Sequence, residues 1–230
     1  MAKLTWDQVG AKLYETGVSQ GVLYPAKAEG GYNNGVAWNG LTQVSENPSG
    51  AEATPVYADN IKYLNLFSAE EFGATIEAYT YPDEFAACDG SAEIIPGATI
   101  GQQSRRQFGF CYKTKIGNDV AGDSLGYKIH VVYNCQASPS AKAYQTVNES
   151  PEAITFSWEV TTTPVVVEGY KPTATLIIDS TKVDKAKLKA IEDKLYGTEE
   201  TEPTLPTLQE LIALLKSDVS LPASINTLKK

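Results

Sequence analysis

From Gly21 onward the chain alternates apolar and polar residues with a period of two, and turn residues interrupt the alternation at short intervals. Val, Ile, Thr and Tyr carry the pattern, and Gly, Asn and Pro break it. A period of two places successive side chains on opposite faces of a β-strand, so the pattern predicts antiparallel strands joined by turns. The predicted fold is therefore mainly β, a sandwich or a barrel.

Two predicted strands show which side chains face inward. Near 72–81 the inward set is Phe72, Ala74, Ile76 and Ala78, and the outward set is Glu71, Thr75, Glu77 and Tyr79. Near 152–162 the inward set is Ile154, Phe156, Trp158 and Val160, and the outward set is Thr155, Ser157, Glu159 and Thr161. One face should pack inward while the polar face meets solvent or a neighbour. Further strands are predicted at 21–25, 36–46, 61–67, 94–102, 106–115, 127–137 and 173–178.

Few helices are predicted in the first 197 residues, which we interpret as one domain. Pro82 should open a short helical turn that closes before Gly90. A longer helix should begin after Asp184, an N-cap residue, and end at Tyr196 before Gly197. Its apolar stripe should lie against a sheet, and it consists of Leu188, Ile191 and Leu195.

Residues 198–230 are predicted to form a linker and a short amphipathic helix. The stretch 198–206 is acidic and carries proline, and Thr207 to Glu210 matches a capping box. A terminal helix on a linker docks either on a neighbouring subunit or on its own domain, and the sequence leaves both open. The stripe that would dock contains Leu208, Leu211, Ile212 and Leu215.

The segment 47–57 is predicted to project as a long exposed loop between two strands. Turn-forming residues punctuate it, namely Asn47, Pro48, Ser49, Gly50 and Pro55. Loops of this kind often contact other molecules. We therefore expect this segment to contribute to contacts outside the domain.

The net charge of −9 argues against attraction to nucleic acid or to anionic lipid. Residues 1–104 hold 4 basic and 13 acidic side chains, whereas residues 105–230 hold 15 of each. The excess acidity is thus confined to the N-terminal part. It forms either a solvated surface that favours solubility or an acidic surface on one side of the fold.

Three cysteines, Cys88, Cys111 and Cys135, are widely spaced and form no C-x-x-C pair. Neither a disulfide framework nor a structural zinc site is predicted, and assembly in a reducing cytoplasm fits best. The first 20 residues lack the pattern of a signal peptide, and no apolar run is long enough for a membrane span. We expect neither export by a signal peptide nor a membrane anchor.

Residue types for catalysis are scarce. His130 is the only histidine, and its spacing from Cys111 and Cys135 does not favour a metal site. The adjacent carboxylates Asp83–Glu84 and Glu70–Glu71 are better explained as a helix N-terminus and a strand start than as a glycosidase pair. The chain is therefore not expected to be an enzyme or to bind a cofactor.

An extended set of sequence segments, spread over nearly the whole chain up to about Gly197, is typical of one protein family. The segments include Leu4-Thr-Trp-Asp-Gln-Val-Gly10, Gly35-Val-Ala-Trp-Asn-Gly-Leu41, Tyr57-Ala-Asp-Asn-Ile-Lys-Tyr63, Glu70 to Phe85, Phe108-Gly-Phe-Cys-Tyr112, Ser150 to Val160 and Thr175-Leu-Ile-Ile-Asp-Ser180. Together they resemble the major tail protein family of siphophages, the long-tailed bacteriophages.

The resemblance implies a β-sandwich with a flanking helix, whose subunits form six-fold rings. One sheet of each subunit would contribute to a β-barrel around a lumen, and the stacked rings would form the tail tube through which DNA passes. The implied partners are other copies of the chain, the tape measure protein, the tail terminator and the distal tail or baseplate proteins. The implied location is the virion, after assembly in the host cytoplasm.

The resemblance also suggests roles for particular residues. A projecting loop reaches the next ring in such proteins, and the candidate here is 47–57, with Asn47, Pro48, Ser49, Gly50, Glu52 and Tyr57. A polar, acidic lumen would repel the phosphates of passing DNA. We hypothesise that Glu71 and Glu77 face this lumen, with Glu159 nearby.

Three other functions stay open at this stage. An acidic, tyrosine-rich sandwich could bind carbohydrate or protein, and would then stay monomeric with a concave aromatic patch. A hydrolase with paired carboxylates would lose activity, but not its assembly state, when a carboxylate is replaced. Another virion protein, such as a capsid decoration protein, would differ in the symmetry and length of its assembly.

Overall fold

The computed structural model describes residues 3–147, 149–150 and 152–216. The chain is mainly β, as the alternation predicts. Its strands are β1 (Leu13–Pro25), β2 (Val36–Trp38), β3 (Leu41–Glu46), β4 (Ser49–Gly50), β5 (Ala53–Ala58), β6 (Ile61–Phe67), β7 (Glu70–Glu71), β8 (Gly73–Ala78), β9 (Ala92–Ile95), β10 (Ala98–Ile100), β11 (Phe108–Asn118), β12 (Gly122–Ala137), β13 (Phe156–Thr162) and β14 (Thr175–Asp179). A 3-10 turn (Asp83–Phe85) leads into α1 (Ala86–Asp89), and two longer helices follow, α2 (Lys185–Tyr196) and α3 (Leu208–Lys216).

Eight strands form one antiparallel sheet in the order β2-β1-β11-β12-β13-β8-β3, with β14 paired to β12. The sheet branches at β12. One edge of β12 pairs with β11, while the other pairs with β14 along 128–132 and with β13 along 135–137. This branching separates a helix-covered layer from the β13-β8-β3 layer.

The two ends of the sheet are consecutive in the chain, because only Asn39 and Gly40 separate β2 from β3. β2 pairs with β1 and β3 pairs with β8, so the sheet folds over on itself as a sandwich. Gly21 permits the close approach of β1 and β3, since a Cβ at this position would lie 2.4 Å from Leu41 Cδ1.

An aromatic core fills the space between the two layers. Trp158 of β13 is fully buried, and its ring centroid lies 5.5 Å from that of Trp38 and 5.2 Å from that of Phe85. Phe85 in turn lies 5.5 Å from Phe108 of β11. Edge-to-face contacts at these distances add to the free energy gained by burying the rings.

A second core lies on the opposite face of the central strands, under α2 and α3. The inward residues of α2 are those predicted, Leu188, Ile191 and Leu195, and all are buried. Polar contacts fix the helix to the sheet: Tyr24 Oη donates to Leu195 O at 2.5 Å, and Lys113 Nζ pairs with Glu192 Oε1 at 2.5 Å. β1, β11 and β12 are therefore covered on both faces.

The predicted helix ends are confirmed. The carboxylate of Asp184 accepts from Ala186 N at 2.9 Å and from Lys187 N at 3.3 Å, and Gly197 follows α2. Thr207 and Glu210 form a reciprocal capping box, with Thr207 N donating to Glu210 Oε2 at 2.8 Å and Glu210 N donating to Thr207 Oγ1 at 3.3 Å.

Several predicted strand bounds were wrong. The segment 36–46 is broken at Asn39–Gly40, where Gly40 has a φ of 74°. The segment 94–102 is a separate small hairpin of β9 and β10 that does not join the main sheet, because the turn pair Pro96–Gly97 reverses the chain. The strand predicted near 152–162 begins at Phe156 and not at Glu152.

Candidate functional site

The most prominent surface feature is an extended hairpin, which we call the arm (residues 47–72). β5 and β6 form it, and in the described part of the chain they pair only with each other. Asp59 and Asn60 make the turn with φ of 51° and 64°, the left-handed conformation that a two-residue hairpin turn requires. At the base of the arm, β4 pairs with β7.

Apolar side chains are exposed on both faces of the arm. Ile61 and Tyr63, near the turn of the arm, are 66% and 69% exposed, and Phe67, on one face of β6, is 68% exposed. Leu64 and Leu66 lie on the other face and are 39% and 58% exposed. Contiguous exposed apolar surface marks interaction sites, and an isolated two-stranded hairpin is at best marginally stable in water. The arm thus has the properties of a segment that other molecules cover on both sides.

The predicted exposed loop at 47–57 is exposed, but the prediction that it is a loop was wrong. Its second half is strand β5, and its pairing partner is β6, which the sequence indicated only as a strand in its own right. Asn47, Pro48, Ser49 and Gly50 form the base of the arm, Glu52 lies between β4 and β5, and Tyr57 lies in β5. Asp59–Asn60 between two alternating runs was the signal that could have identified this hairpin.

Asn47 fixes the base of the arm to the main sheet. Its backbone N donates to Gly73 O at 2.8 Å, and its Nδ2 donates to Thr75 Oγ1 at 3.1 Å. Gly50 is required for the clasp between β4 and β7, because it has a φ of 81° and a Cβ there would lie 2.2 Å from Ala69 O. The turn residues noticed in the sequence therefore attach the arm to the domain.

Two of the three glutamates proposed to face a lumen lie on one polar sheet face. Glu77 of β8 is opposite Ser157 of β13 and Gln43 of β3, and Glu159 of β13 is opposite Thr75. Directly opposed residues share a face, so these side chains form a hydroxyl- and carboxylate-bearing surface. Glu71 lies apart from it, in β7 at the base of the arm opposite Ser49.

The C-terminal helix packs on its own domain, which is one of the two alternatives that the sequence left open. Leu208 and Leu211 are buried in the core under the helices, and Ile212 and Leu215 pack against its margin. The preceding segment is also anchored, since Tyr133 Oη donates to Pro206 O at 3.0 Å and Gly35 N donates to Pro203 O at 2.8 Å. Intrachain contacts thus account for the apolar stripe, and an inter-subunit role for this helix stays a prediction.

The three cysteines are buried, and the central sheet separates Cys111 from the other two. Cys111 lies in the core under the helices, whereas Cys88 and Cys135 lie in the aromatic core. Burial raises the pKa of the Cys88 and Cys111 thiols to about 12, and it also raises the pKa of Cys135. These thiols are therefore protonated near neutral pH and poor as nucleophiles. Over residues 3–147, 149–150 and 152–216, no three His, Cys, Asp or Glu side chains are placed to hold a metal ion.

Comparison with known protein families and with curated proteins finds no match to this chain. Within the described ranges, no helix is both long and apolar enough to cross a membrane.

Proposed function

We propose that this chain is a structural subunit that self-assembles, the major tail protein of a siphophage, and that it acts by assembly and not by catalysis. Six copies would form a ring, and rings would stack into the tail tube that conducts DNA into the host. The observation that carries the proposal is the arm. It exposes apolar side chains on both faces and pairs with no other strand of the described chain.

The arm supports self-assembly because its exposed apolar side chains would be buried by contact with a neighbouring subunit. A hairpin with two apolar faces fits between two neighbouring subunits and not on a single flat surface. An arm that leaves its own subunit and docks on a different surface of the next makes a heterologous contact, and such contacts generate rings or open filaments. In a stack of rings, one set of such contacts would close each ring and another would join successive rings into an open-ended tube.

The sheet supports the proposed ring. Within the described ranges, β2, β3 and β14 are the strands of the main sheet that pair along one edge only. Joining subunits edge to edge would satisfy the free backbone groups and leave no exposed edge, which is how a barrel shared by the subunits would form. The polar face with Glu77 and Glu159 would line the lumen and repel DNA phosphates.

The remaining partners follow from the same proposal. A tail tube grows on an initiator and stops at a defined length, so the subunit would also contact distal tail or baseplate proteins, the tape measure protein and the tail terminator. Its location would be the virion, after assembly in the host cytoplasm. DNA would pass through the lumen without sequence-specific contacts.

The first test is the assembly state of the purified full-length chain. We expect its mass, measured by light scattering over a concentration series, to rise well above 24.8 kDa. Negative-stain electron microscopy should show rings or hollow tubes of uniform width. A persistent monomer at all concentrations would contradict unaided self-assembly and favour a binding module, and closed shells or isolated trimers would favour a decoration protein.

The lumen assignment predicts that positions on the polar sheet face and a position outside it differ in their accessibility to a large protein. Glu77→Cys and Glu159→Cys in assembled tubes should react with a small biotin maleimide and then fail to bind streptavidin, because that protein is too large to enter a narrow lumen. The three native cysteines are buried and should not react. Glu199→Cys, on an exposed residue after α2, is the matched control and should bind streptavidin. Equal streptavidin binding at positions 77 and 199 of intact tubes would contradict the lumen assignment.

A further inference from the structure

The base of the arm lies next to His130, the only histidine of the chain. His130 belongs to β12, between Tyr112 of β11 and Ile177 of β14. Its ring stacks on that of Tyr112, with centroids 4.5 Å apart and planes inclined by 7°. Nε2 lies 3.0 Å from Thr114 Oγ1, and only 11% of the side chain is exposed.

The other ring nitrogen, Nδ1, is buried and makes no hydrogen bond with any described residue. The nearest acidic atom is Glu46 Oε1 at 3.4 Å, and this same oxygen accepts a hydrogen bond of 2.8 Å from Tyr112 Oη. Glu46 is the last residue of β3, directly before the arm. A single carboxylate thus connects the start of the arm to both the tyrosine and the histidine.

A small cavity of about 170 Å³ separates the base of the arm from the sheet. His130, Thr175 and Ile177 line it from the sheet, and Glu46, Glu70 and Phe72 are among the residues that line it from the arm's side. A space of this size and polarity can hold water molecules. Water can therefore reach Nδ1 if the base of the arm moves outward.

Charged groups surround His130 from several strands. Glu46 of β3 and Glu70 of β7 face it across the cavity. The negative charge of Glu15 in β1 also favours the protonated ring. Glu15 forms an ion pair with Lys128 of β12, however, and the positive charge of Lys128 has the opposite effect. Burial lowers the pKa of His130 below its ordinary value, and the nearby Glu46 carboxylate opposes this effect without cancelling it. The ring is therefore neutral at neutral pH.

We infer that His130, Glu46, Tyr112 and Thr114 form an acid-sensitive latch that holds the base of the arm on the central sheet. A neutral ring fits the buried site, where Nδ1 has no hydrogen-bond partner among the described residues, whereas a protonated ring has a second N–H and a charge that need solvation. Opening the cavity at the base of the arm supplies that water, and it loosens the hydrogen bonds of Asn47 to Gly73 and Thr75 that fix this base to the sheet. The histidine pKa is lower in the closed latch than in the open one, so the latch is stable above about pH 6.5 and weakens as the pH falls through and below that value.

Hydrogen–deuterium exchange of the full-length subunit, followed by mass spectrometry, tests this inference. Exchange at pH 7.5 and at pH 5.5 is compared after correction for the intrinsic pH dependence of the amide exchange rate. Peptides covering 41–48 and 70–76 should lose protection, with an opening equilibrium constant that rises by up to about tenfold per pH unit below the ordinary histidine range. A peptide of the core strand β11 should keep its protection.

Two variants separate the latch from general acid sensitivity. His130→Gln keeps a neutral side chain that can bond to Thr114, and it should remove the extra exchange at pH 5.5. Glu46→Gln keeps an acceptor for Tyr112 but removes the counter-charge, so its acid response should be larger than that of the natural chain. The inference is overturned if the natural chain shows no acid response at the arm base, if His130→Gln responds equally, or if β11 opens in parallel with the arm.

Discussion

Replacement of both Tyr63 and Phe67 by aspartate should leave the subunit folded and abolish its assembly into tubes. These side chains are 69% and 68% exposed in the single chain, so their loss removes little of the intrachain packing. In an assembled tube they would be buried, and an unpaired carboxylate at a buried position costs several kcal/mol. Since central aromatic residues of an interface contribute about 2 kcal/mol or more, each subunit contact should weaken by at least about 30-fold. Light scattering and electron microscopy measure the outcome.

A matched control separates the arm from general effects of surface charge. Val166 and Tyr170 lie outside the arm and are 73% and 72% exposed, and their replacement by aspartate adds the same two charges. This control variant should assemble like the natural chain. Tubes formed by the arm variant, or an equal loss of assembly in the control, would contradict the role of the arm. Circular dichroism of both variants checks that the fold is kept.

Trp158→Ala should cause the largest loss of stability of any single substitution in the aromatic core. The side chain is fully buried, and its ring contacts those of Trp38, Tyr81 and Phe85 at centroid distances of 5.5, 5.3 and 5.2 Å. Truncation of such a residue leaves a cavity and costs about 3–5 kcal/mol. Domains of this size lose about 2–4 °C of Tm per kcal/mol, so the Tm of the monomeric subunit should fall clearly in a thermal melt.

Two further substitutions test whether the burial of the Trp158 ring is the cause of this loss of stability. Trp6→Ala removes an equally large side chain that is 76% exposed, and it should change the free energy of unfolding by less than about 0.5 kcal/mol. Trp158→Phe keeps an aromatic ring and removes Nε1, which is buried without a hydrogen-bond partner in the described chain. It should therefore cost clearly less than Trp158→Ala. Equal losses for Trp6→Ala and Trp158→Ala would show that burial does not determine the effect.

Local signals predicted the elements of this fold well. The N-cap Asp184, the stripe of α2 and the stop at Gly197 are contained in one short stretch of sequence, and all three lie as predicted. The alternation near Trp158 likewise predicted both faces of its strand, with Trp158 and Val160 buried and Glu159 exposed. Such features depend on residues a few positions apart, which is why the sequence suffices for them.

Features that depend on distant pairing were not predictable from the same signals. An alternating run shows that 61–67 is a strand, but not that its partner is β5 and that no other described strand pairs with it. The sequence also did not predict that β1, β11 and β12 are covered on both faces. A short apolar run is compatible with either a buried strand or a buried helix, so it does not show how many faces of a strand are covered. The contact between His130 and Glu46 joins residues 84 positions apart in sequence and follows only from the topology.

The pairing of β1 with β11 also determines when the subunit can fold. β1 ends at Pro25, and its partner begins only at Phe108, so the first strand of the central layer must wait while the intervening chain is synthesised. At about 5–20 residues per second, this wait lasts roughly 4–17 s on the ribosome. Non-local pairing of this kind makes folding slow, because the entropy of closing a long loop is lost before the strand contacts are gained. The apolar arm is made within that interval, so newly made chains should be most prone to premature association before β11 emerges.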